Sequence, residues 1–453
     1  MEIIKSIKNI FITFKLNSRL TQDTYTLYMN YLAVTYALFL PISWQARSTI
    51  FVVILFLFLI RRNYIYYIKL SFANPIVKAF LFYVLIHFIW LLGTDNFAHA
   101  KKMIKLAEYA IIPFIFLTFL TKEFGYKVIT AFISSVLFSE ILSYLIKFHF
   151  LPPQLTLYDH TIYKAVAIHD PSPYLLHMHY TVTLSIVIAI LTLHLFSSKY
   201  SLKSKILSTI FIATATINLT LIAGRSGYVS YVVLLFTIVL IKFKQKVFLP
   251  LVGTIIFISM VAYGAYSYSK TFKDRIDYSI NNIESMYNNP TAFDSSLGIR
   301  VGLWHYSIEA VKDDLIFGLG TGDQMDAVRA LMPQQHQLLK TMHHLHNQYI
   351  EMLTQFGIIG LLVFLNIFYQ IFTYKQTEKE NKEIMILVTM AVMIALMTET
   401  FSSIYYLPMF ATLVAASIAK NKFSTDINSQ NIKQSLIAYS VIIILTLLAI
   451  YLQ

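Results

Sequence analysis

The sequence predicts an all-α polytopic membrane protein of 12–13 transmembrane helices, with one large periplasmic loop that contains amphipathic helices. Only 13% of the 453 residues are charged, against roughly 25% in an average soluble domain. Apolar runs close to the bilayer-spanning length of about 20 residues recur along the chain. The connections between these runs alternate between strongly and weakly basic. These observations exclude an ordinary soluble enzyme, and the absence of Cys excludes disulfides, thiolate zinc sites and iron–sulfur clusters.

Residues 1–20 form the first predicted element, a cytoplasmic amphipathic helix in the plane of the membrane. Their apolar residues fall on one helical face and their lysines elsewhere, as in helices that bind anionic membrane surfaces. The apolar face comprises Ile3, Ile4, Ile7, Ile10, Phe11 and Phe14. We expect no cleaved signal peptide, because no compact apolar core precedes a small-residue cleavage site.

Thirteen apolar runs follow as candidate transmembrane helices. Residues 21–266 hold nine of them, and residues 347–453 hold the remaining three or four. The second run is short, and the last would add a helix to an otherwise even count. The runs are Tyr28–Trp44, Ser48–Ile60, Pro75–Leu92, Met103–Leu120, Tyr126–Ile146, Tyr174–Phe196, Ile206–Ile222, Gly227–Ile241, Val247–Tyr266, Gln348–Thr373, Ile384–Thr400, Ser403–Ala419 and Ser435–Leu452.

The distribution of Lys and Arg predicts the orientation of these helices. With the N-terminus in the cytoplasm, every cytoplasmic connection is basic, and the cytoplasmic segments together hold most of the 36 Lys and Arg residues. The net charge of +13 is therefore explained by cytoplasmic loops, and we expect no nucleic-acid partner. The two long loops, Lys147–Pro173 and 267–346, then lie on the outer side of the membrane. Loops of this length are usually functional.

Helical spacing within the large loop predicts that part of it packs back over the bundle. Val301, Trp304, Ile308 and Val311 recur at intervals of three or four residues, which favours an amphipathic helix.

Two arginines are candidates for binding an anion. Arg225 lies at the outer junction between two apolar runs, where a half-buried Arg is either functional or a snorkelling residue at a helix end. The flanking Gly224 and Gly227 would allow a bulky anion to approach the backbone. Arg300 lies in the large loop, four residues before Trp304 and hence on the same helical face. Taken by itself, Arg300 is better interpreted as a solvated loop charge.

His346 is the candidate general base, because it stands where the tenth run begins and a histidine pKa lies near ambient pH. Three more histidines precede it, namely His336, His343 and His344. A metal site is nevertheless not expected, because no carboxylate lies within a few residues and no H-E-x-x-H spacing occurs. His177 and His179 begin the sixth run, where one of them could line a cavity. Residues 318–322 read as a glycine-rich turn without the G-K-[ST] ending of a nucleotide site.

The predicted topology places Arg225, Arg300 and His346 on one side of the membrane. Arginine holds phosphate oxygens bidentately and would offset the charge on a departing diphosphate. A neutral His would take the proton from an attacking hydroxyl. The combination suits a lipid-linked diphosphate donor and a hydroxyl acceptor.

The same residues are similar to a known family. His346-Asn347, nine further residues and then Gly357-Ile358-Ile359-Gly360 resemble the H-[NSQ]-x9-G-x-x-[GTY] signature of bacterial O-antigen ligases. The order of an Arg at a helix end, a loop Arg followed by Trp304, a glycine turn and the His also agrees. The specific resemblance covers residues 224–360. The thirteenth run departs from the twelve spans typical of the family.

The resemblance implies a metal-independent, inverting glycosyl transfer without a cofactor, at the periplasmic side of the bacterial inner membrane. O-antigen polysaccharide would move from undecaprenyl diphosphate to a lipid A–core sugar. Arg225 and Arg300 would bind the donor diphosphate and His346 would be catalytic. Asn347, Trp304 and His344 would support them.

Three alternatives stay open. O-antigen polymerases and protein O-oligosaccharyltransferases share the donor and a looser form of the Arg–Arg–His arrangement. A transporter or flippase belongs to another class, and it would place ionisable groups near the membrane midplane or in duplicated halves. The runs contain few charges, with Glu108, Glu140 and Glu351 near their ends, and no repeat is detectable.

Overall fold

The structure, a computed structural model, describes residues 22–60, 64–157, 160–289, 291–401 and 404–419. Within these residues the chain is all-α apart from one short hairpin. The first ten helices are α1 (Gln22–Phe39), α2 (Trp44–Ile60), α3 (Tyr64–Phe72), α4 (Pro75–Ile89), α5 (Phe97–Ala107), α6 (Ile112–Phe116), α7 (Lys122–Lys147), α8 (His177–Phe196), α9 (Leu202–Leu221) and α10 (Arg225–Phe243). The others are α11 (Phe248–Tyr268), α12 (Lys270–Asn288), α13 (Ser296–Val311), α14 (Gln324–Leu331), α15 (Gln337–Lys340), α16 (Gln348–Thr373), α17 (Lys379–Ala395) and α18 (Tyr406–Ser417). Short 3₁₀ turns lie at Glu108–Ile111, Lys244–Lys246, Lys312–Asp314 and Gln334–His336.

Six of these helices are long and apolar enough to cross a membrane, so the predicted class of all-α polytopic membrane protein is confirmed. They are α7, α8, α9, α10 (extended to Lys246), α11 and α16. Pro75–Ile89 and Tyr406–Ser417 are apolar but shorter. The count of 12–13 spans stays a prediction. The predicted in-plane helix at 1–20 and the run Ser435–Leu452 lie outside the described residues.

The bundle is organised around α8, the most buried of the six long helices, which packs against α9, α10 and α17. By contrast, α11 exposes nearly all of its apolar surface, as expected of a helix that faces lipid. Hydroxyl groups join α8 to the start of α10. Thr181 Oγ1 donates to the Gly224 carbonyl at 3.0 Å, and Ser185 Oγ donates to the Gly227 carbonyl at 3.0 Å. These bonds fix the helix end at which Arg225 stands.

Between α11 and α16 the chain forms a separate helical layer at one end of the bundle. Its own small apolar core comprises Phe293, Leu303, Met325, Val328, Met332, Leu339 and Leu345. The predicted helix through Val311 is present as α13. Of the four residues that predicted it, Val311 is buried and Val301 and Trp304 pack against the small core, whereas Ile308 is 56% exposed. Gly298 and Gly302 are also buried, because they let α13 approach Phe293 closely.

The helical layer is docked on the bundle through a break in α16. Gly357 has φ +63°, which interrupts the helix, and a Cβ there would collide with the Ile316 carbonyl. The turn at Gly318 fits into this break. Leu319 N donates to the Thr354 carbonyl and Gly320 N to the Gln355 carbonyl, each at 2.9 Å. The glycine-rich segment is thus a turn, as predicted, and it positions the layer.

The loop between α7 and α8 carries the hairpin of β1 (Gln154–Leu157) and β2 (His160–Lys164), which pair antiparallel. Beyond the hairpin, buried Asp170 accepts a hydrogen bond from Ala223 N at 3.1 Å. This loop therefore meets the α9–α10 junction directly before Arg225.

Candidate active site

One row of side chains on α13 connects the predicted site residues. Ser296, Arg300 and Trp304 are spaced by four residues, so they lie on the same face of the helix. Arg300 Nη1 donates to Ser296 Oγ at 2.8 Å, and also to the Ser296 carbonyl. Trp304 Nε1 donates to the Leu345 carbonyl at 3.0 Å, next to His346. Helix α13 therefore carries Arg300 and also holds the segment that contains His346.

Arg225 reaches this row from the first residue of α10. Its Nη2 donates to Ser296 Oγ at 2.7 Å and its Nη1 to Ser279 Oγ, on α12, at 3.0 Å. The Tyr278 ring lies 5.8 Å from the guanidinium carbon. Arg225 and Arg300 thus share one hydroxyl group, and the sequence analysis missed both serines that hold them.

The electrostatics of this pair favour an anion between them. Two nitrogens within 2.8 Å of one oxygen are at most about 5.6 Å apart, where like charges repel by about 3 kcal/mol at an effective dielectric constant of about 20. Within the described ranges, no carboxylate lies within 4.0 Å of either guanidinium. Burial lowers the pKa of Arg300, and its buried Nε has no hydrogen-bond partner among the described residues. The pair has unused charge and an unused donor, which a bound phosphate group would satisfy.

His346 stands in a constrained backbone position at the start of α16. Its φ is +52°, a left-handed conformation that few residues other than glycine adopt. The flanking residues hold it there. Asn347 caps α16 through bonds from Tyr349 N and Ile350 N to its side chain, and Leu345 N donates to the buried Glu351 carboxylate at 3.0 Å. Strained residues of this kind are concentrated at functional sites.

A carboxylate that the sequence analysis did not select completes the site. Glu399, 5% exposed, lies with its Oε1 3.4 Å from His346 Nδ1. The apolar run Ile384–Thr400 included this residue, but α17 ends at Ala395 and Glu399 belongs to the following loop. The sequence signal that could have identified Glu399 is a single acidic residue at the end of an apolar run. Burial alone would raise the pKa of Glu399, but the hydrogen bond from His346 lowers it below its ordinary value.

His344 lies beside the His346–Glu399 pair. The two histidine rings are 4.0 Å apart between centroids, and His344 Nδ1 accepts a bond from His346 N at 3.3 Å. Burial and the neighbouring His346 lower the pKa of His344 to about 4. His344 is consequently neutral at ambient pH and leaves the charge on Glu399 available to His346.

The arginine pair and the histidine pair are also joined on their other side. Ser226 Oγ, adjacent to Arg225, lies 2.9 Å from Thr398 Oγ1, adjacent to Glu399. Gln348 N donates to the Glu399 carbonyl at 3.0 Å, which fixes that loop to the start of α16. The site is a closed ring built from α10, α13, the start of α16 and the loop after α17. It places two cations, a base and a carboxylate at one end of the bundle.

This region of the chain has known relatives. Residues 210–365 match the model of a family described as O-antigen ligase. Over these residues, about a third of its length, the chain is similar to the O-antigen ligase family. An uncharacterized protein of Haemophilus influenzae is 28% identical over 236 residues, which cover 49% of this chain and 58% of that protein. The chain therefore spans little more than half the length of this relative.

The family match contains Arg225, Arg300 and His346 but ends before Glu399. The recognition made from the signature is confirmed. Its two glycines are explained structurally, because Gly357 forms the break in α16 and a Cβ at Gly360 would collide with Phe356. The signature thus combines His346 with the break in α16 against which the glycine-rich turn packs.

The sequence analysis also considered His177, His179, His336 and His343 as candidates, and these have other surroundings. His179 is buried against the Tyr406 ring, with the centroids 4.8 Å apart. His177 Nδ1 lies 3.1 Å from Asp170 Oδ2. His336 packs on Phe293 in the small apolar core, and His343 is exposed.

The arrangement of His344, His346 and Glu399 bears on the prediction that the site holds no metal. One ligand atom from each residue lies within 4.8 Å of the others, a grouping that could hold a metal ion. The argument against a metal rested on the absence of a nearby carboxylate in the sequence. Glu399 supplies one from 53 positions away, so metal independence rests on the family resemblance and stays a prediction.

Proposed function

We propose that this protein is an O-antigen ligase, which transfers a glycan from undecaprenyl diphosphate to a hydroxyl group of a lipid A–core sugar. The observation that carries the proposal is Ser296, whose hydroxyl is shared by Arg225 and Arg300 on the helix that also anchors the His346 segment. We place the active site on the periplasmic face of the bacterial inner membrane, as the positive-inside rule predicts.

The donor diphosphate binds to the arginine pair. Two guanidinium groups without a carboxylate partner in the described part of the chain match an anion of comparable charge. Binding also relieves the repulsion between Arg225 and Arg300. Because both are preorganised by Ser279 and Ser296, little reorganisation accompanies the reaction.

His346 acts as the general base in a single displacement. Its Nδ1 is directed to Glu399, so Nε2 is the nitrogen that takes the proton from the acceptor hydroxyl. The acceptor oxygen forms a bond to the anomeric carbon while the bond from that carbon to the diphosphate oxygen breaks. Its electron pair leaves with undecaprenyl diphosphate. One displacement inverts the anomeric configuration, and Glu399 stabilises the imidazolium that forms.

The proposal is tested by deleting the gene in the source organism and restoring it with variants. Arg225→Ala, Arg300→Ala and His346→Ala should each give lipopolysaccharide core without O-antigen, while long lipid-linked chains accumulate. His343→Ala is the matched control for His346, because His343 is exposed in the same segment, and His305→Ala serves for α13. Normal lipopolysaccharide in a well-expressed His346→Ala strain would overturn the assignment of the base.

The same profile separates the alternatives. Core capped by a single repeat unit would indicate an O-antigen polymerase. An unchanged profile with unglycosylated protein would indicate a protein O-oligosaccharyltransferase. Loss of glycan from the periplasmic leaflet, with the donor retained on the cytoplasmic side, would indicate a transporter or flippase.

A further inference from the structure

A third arginine, Arg275, lies on the face of α12 that borders the arginine pair. Thr271, Arg275 and Ser279 are spaced by four residues and form one row on this helix. Thr271 Oγ1 donates to the His169 carbonyl at 2.9 Å at one end of the row. At the other end, Ser279 Oγ accepts from Arg225. Arg275 occupies the position between these two anchors, and it is only partly exposed.

The guanidinium of Arg275 is not used by the fold. In the described part of the chain it donates no hydrogen bond and has no carboxylate within 4.0 Å. Its charge helps to lower the pKa of the Asp170 carboxyl, but one oxygen of Asp170 accepts from Ala223 N and the other lies 3.1 Å from His177 Nδ1. Arg275 is also close enough to Arg225 for their like charges to interact. A cation kept beside another cation, without a partner of its own, is arranged for an anion.

The chemistry of the proposed reaction accounts for one additional cation. When the glycosidic bond breaks, its electron pair stays on the diphosphate oxygen, so the leaving group gains one negative charge. Arg225 and Arg300 already offset the charge of the intact donor. A third cation next to them interacts more strongly with the departing diphosphate than with the donor, which lowers the barrier.

We propose that Arg275 is a third diphosphate-binding residue of this site, selective for the leaving undecaprenyl diphosphate over the glycosylated donor. The inference rests on the proposed function. It predicts that loss of the Arg275 charge lowers kcat and weakens inhibition by the product, with a smaller effect on the KM for the donor.

The test uses the full-length protein in detergent or nanodiscs, with undecaprenyl-diphosphate-linked glycan as donor and undecaprenyl diphosphate as inhibitor. Arg275→Gln should lower kcat by about 10- to 100-fold, the range of one or two charge-assisted hydrogen bonds, and raise the inhibition constant by at least about 10-fold. The KM for the donor should change less than about threefold. Arg275→Lys should recover part of both losses. Lys270→Ala is the matched control, since Lys270 is exposed on the same helix.

Outcomes for the inference and for the proposed function are distinguishable in this assay. Wild-type kcat and an unchanged inhibition constant in Arg275→Gln would overturn the inference alone. Equal changes in the donor KM and the inhibition constant, not recovered by Lys, would also overturn it, because they indicate uniform binding or a structural role. Absence of transfer by the wild-type protein would instead overturn the proposed function.

Discussion

The buried carboxylate of Glu399 provides the sharpest test of the site. Glu399→Gln preserves the size of the side chain and an acceptor oxygen but removes the negative charge beside His346. In the proposed reaction, His346 becomes an imidazolium in the transition state, and the charge on Glu399 stabilises it. The substitution should therefore lower kcat more than it raises KM for either substrate.

The magnitude follows from the 3.4 Å between Glu399 Oε1 and His346 Nδ1. Unit charges at this distance attract by about 5 kcal/mol at an effective dielectric constant of about 20, which is an upper bound. Replacing a charge-assisted hydrogen bond by a neutral one costs about 1–2 kcal/mol, which is a lower bound. We expect kcat to fall by about 30- to 300-fold, corresponding to about 2–3.5 kcal/mol.

The assay is steady-state transfer from the lipid-linked donor by purified protein, with the two substrates varied separately. Met397→Ala is the matched control, because Met397 is 49% exposed in the same segment and the change leaves the carboxylate in place. A kcat within threefold of wild type in a folded Glu399→Gln protein would refute the role of Glu399. It would also weaken the assignment of His346 as the base.

Three further predictions concern the break in α16, pH and metal ions. Gly357→Ala should lower the melting temperature in detergent through about 1–3 kcal/mol of backbone strain plus the collision with Ile316, whereas Gly264→Ala, in open space, should not. The pKa of His344 falls from an ordinary value near 6.5 to about 4 on folding, so protonation favours the unfolded chain and stability should decrease from pH 7 toward pH 4. At pH 5 the expected loss in the free energy of unfolding is about 2 kcal/mol. A denaturation series in which the His344→Gln variant shows the same pH dependence as the wild type would contradict this prediction. Transfer should continue in excess chelator; activity that is lost on chelation and restored by one divalent metal would show that His344, His346 and Glu399 hold an ion.

The sequence identified Arg225, Arg300 and His346 because each has a local signal. Arg225 is a cation at a helix end, Arg300 shares a predicted helical face with Trp304, and His346 belongs to a family signature. Trp304 was also found, since four-residue spacing places it on the face of Arg300. The structure brings all four together.

The partners of these residues carry no comparable signal. Ser279 and Ser296 are two serines among many until α12 and α13 pack against the start of α10. Glu399 is separated from His346 by an entire helix pair, and its apolar surroundings caused it to be counted within a membrane run. Long-range packing determined both omissions, and sequence spacing describes only contacts within one helix.

The position of α13 explains how one site combines charge stabilisation and proton transfer. Ser296, Arg300 and Trp304 are successive residues of one row, so each lies about 6 Å along the helix axis from the next. The row begins at the shared hydroxyl of the arginine pair and ends at the carbonyl before His346. A direct displacement needs the leaving oxygen and the attacking oxygen on opposite sides of one carbon, only a few ångströms apart. From Ser296 to Trp304 the row spans about 12 Å along one helix, so the anion-binding end and His346 leave room between them for the sugar that carries the reacting carbon. The ring through Ser226 and Thr398 prevents the two ends from separating. In the proposed reaction, this arrangement holds the departing diphosphate and the attacking hydroxyl on opposite sides of the anomeric carbon, as a single displacement needs.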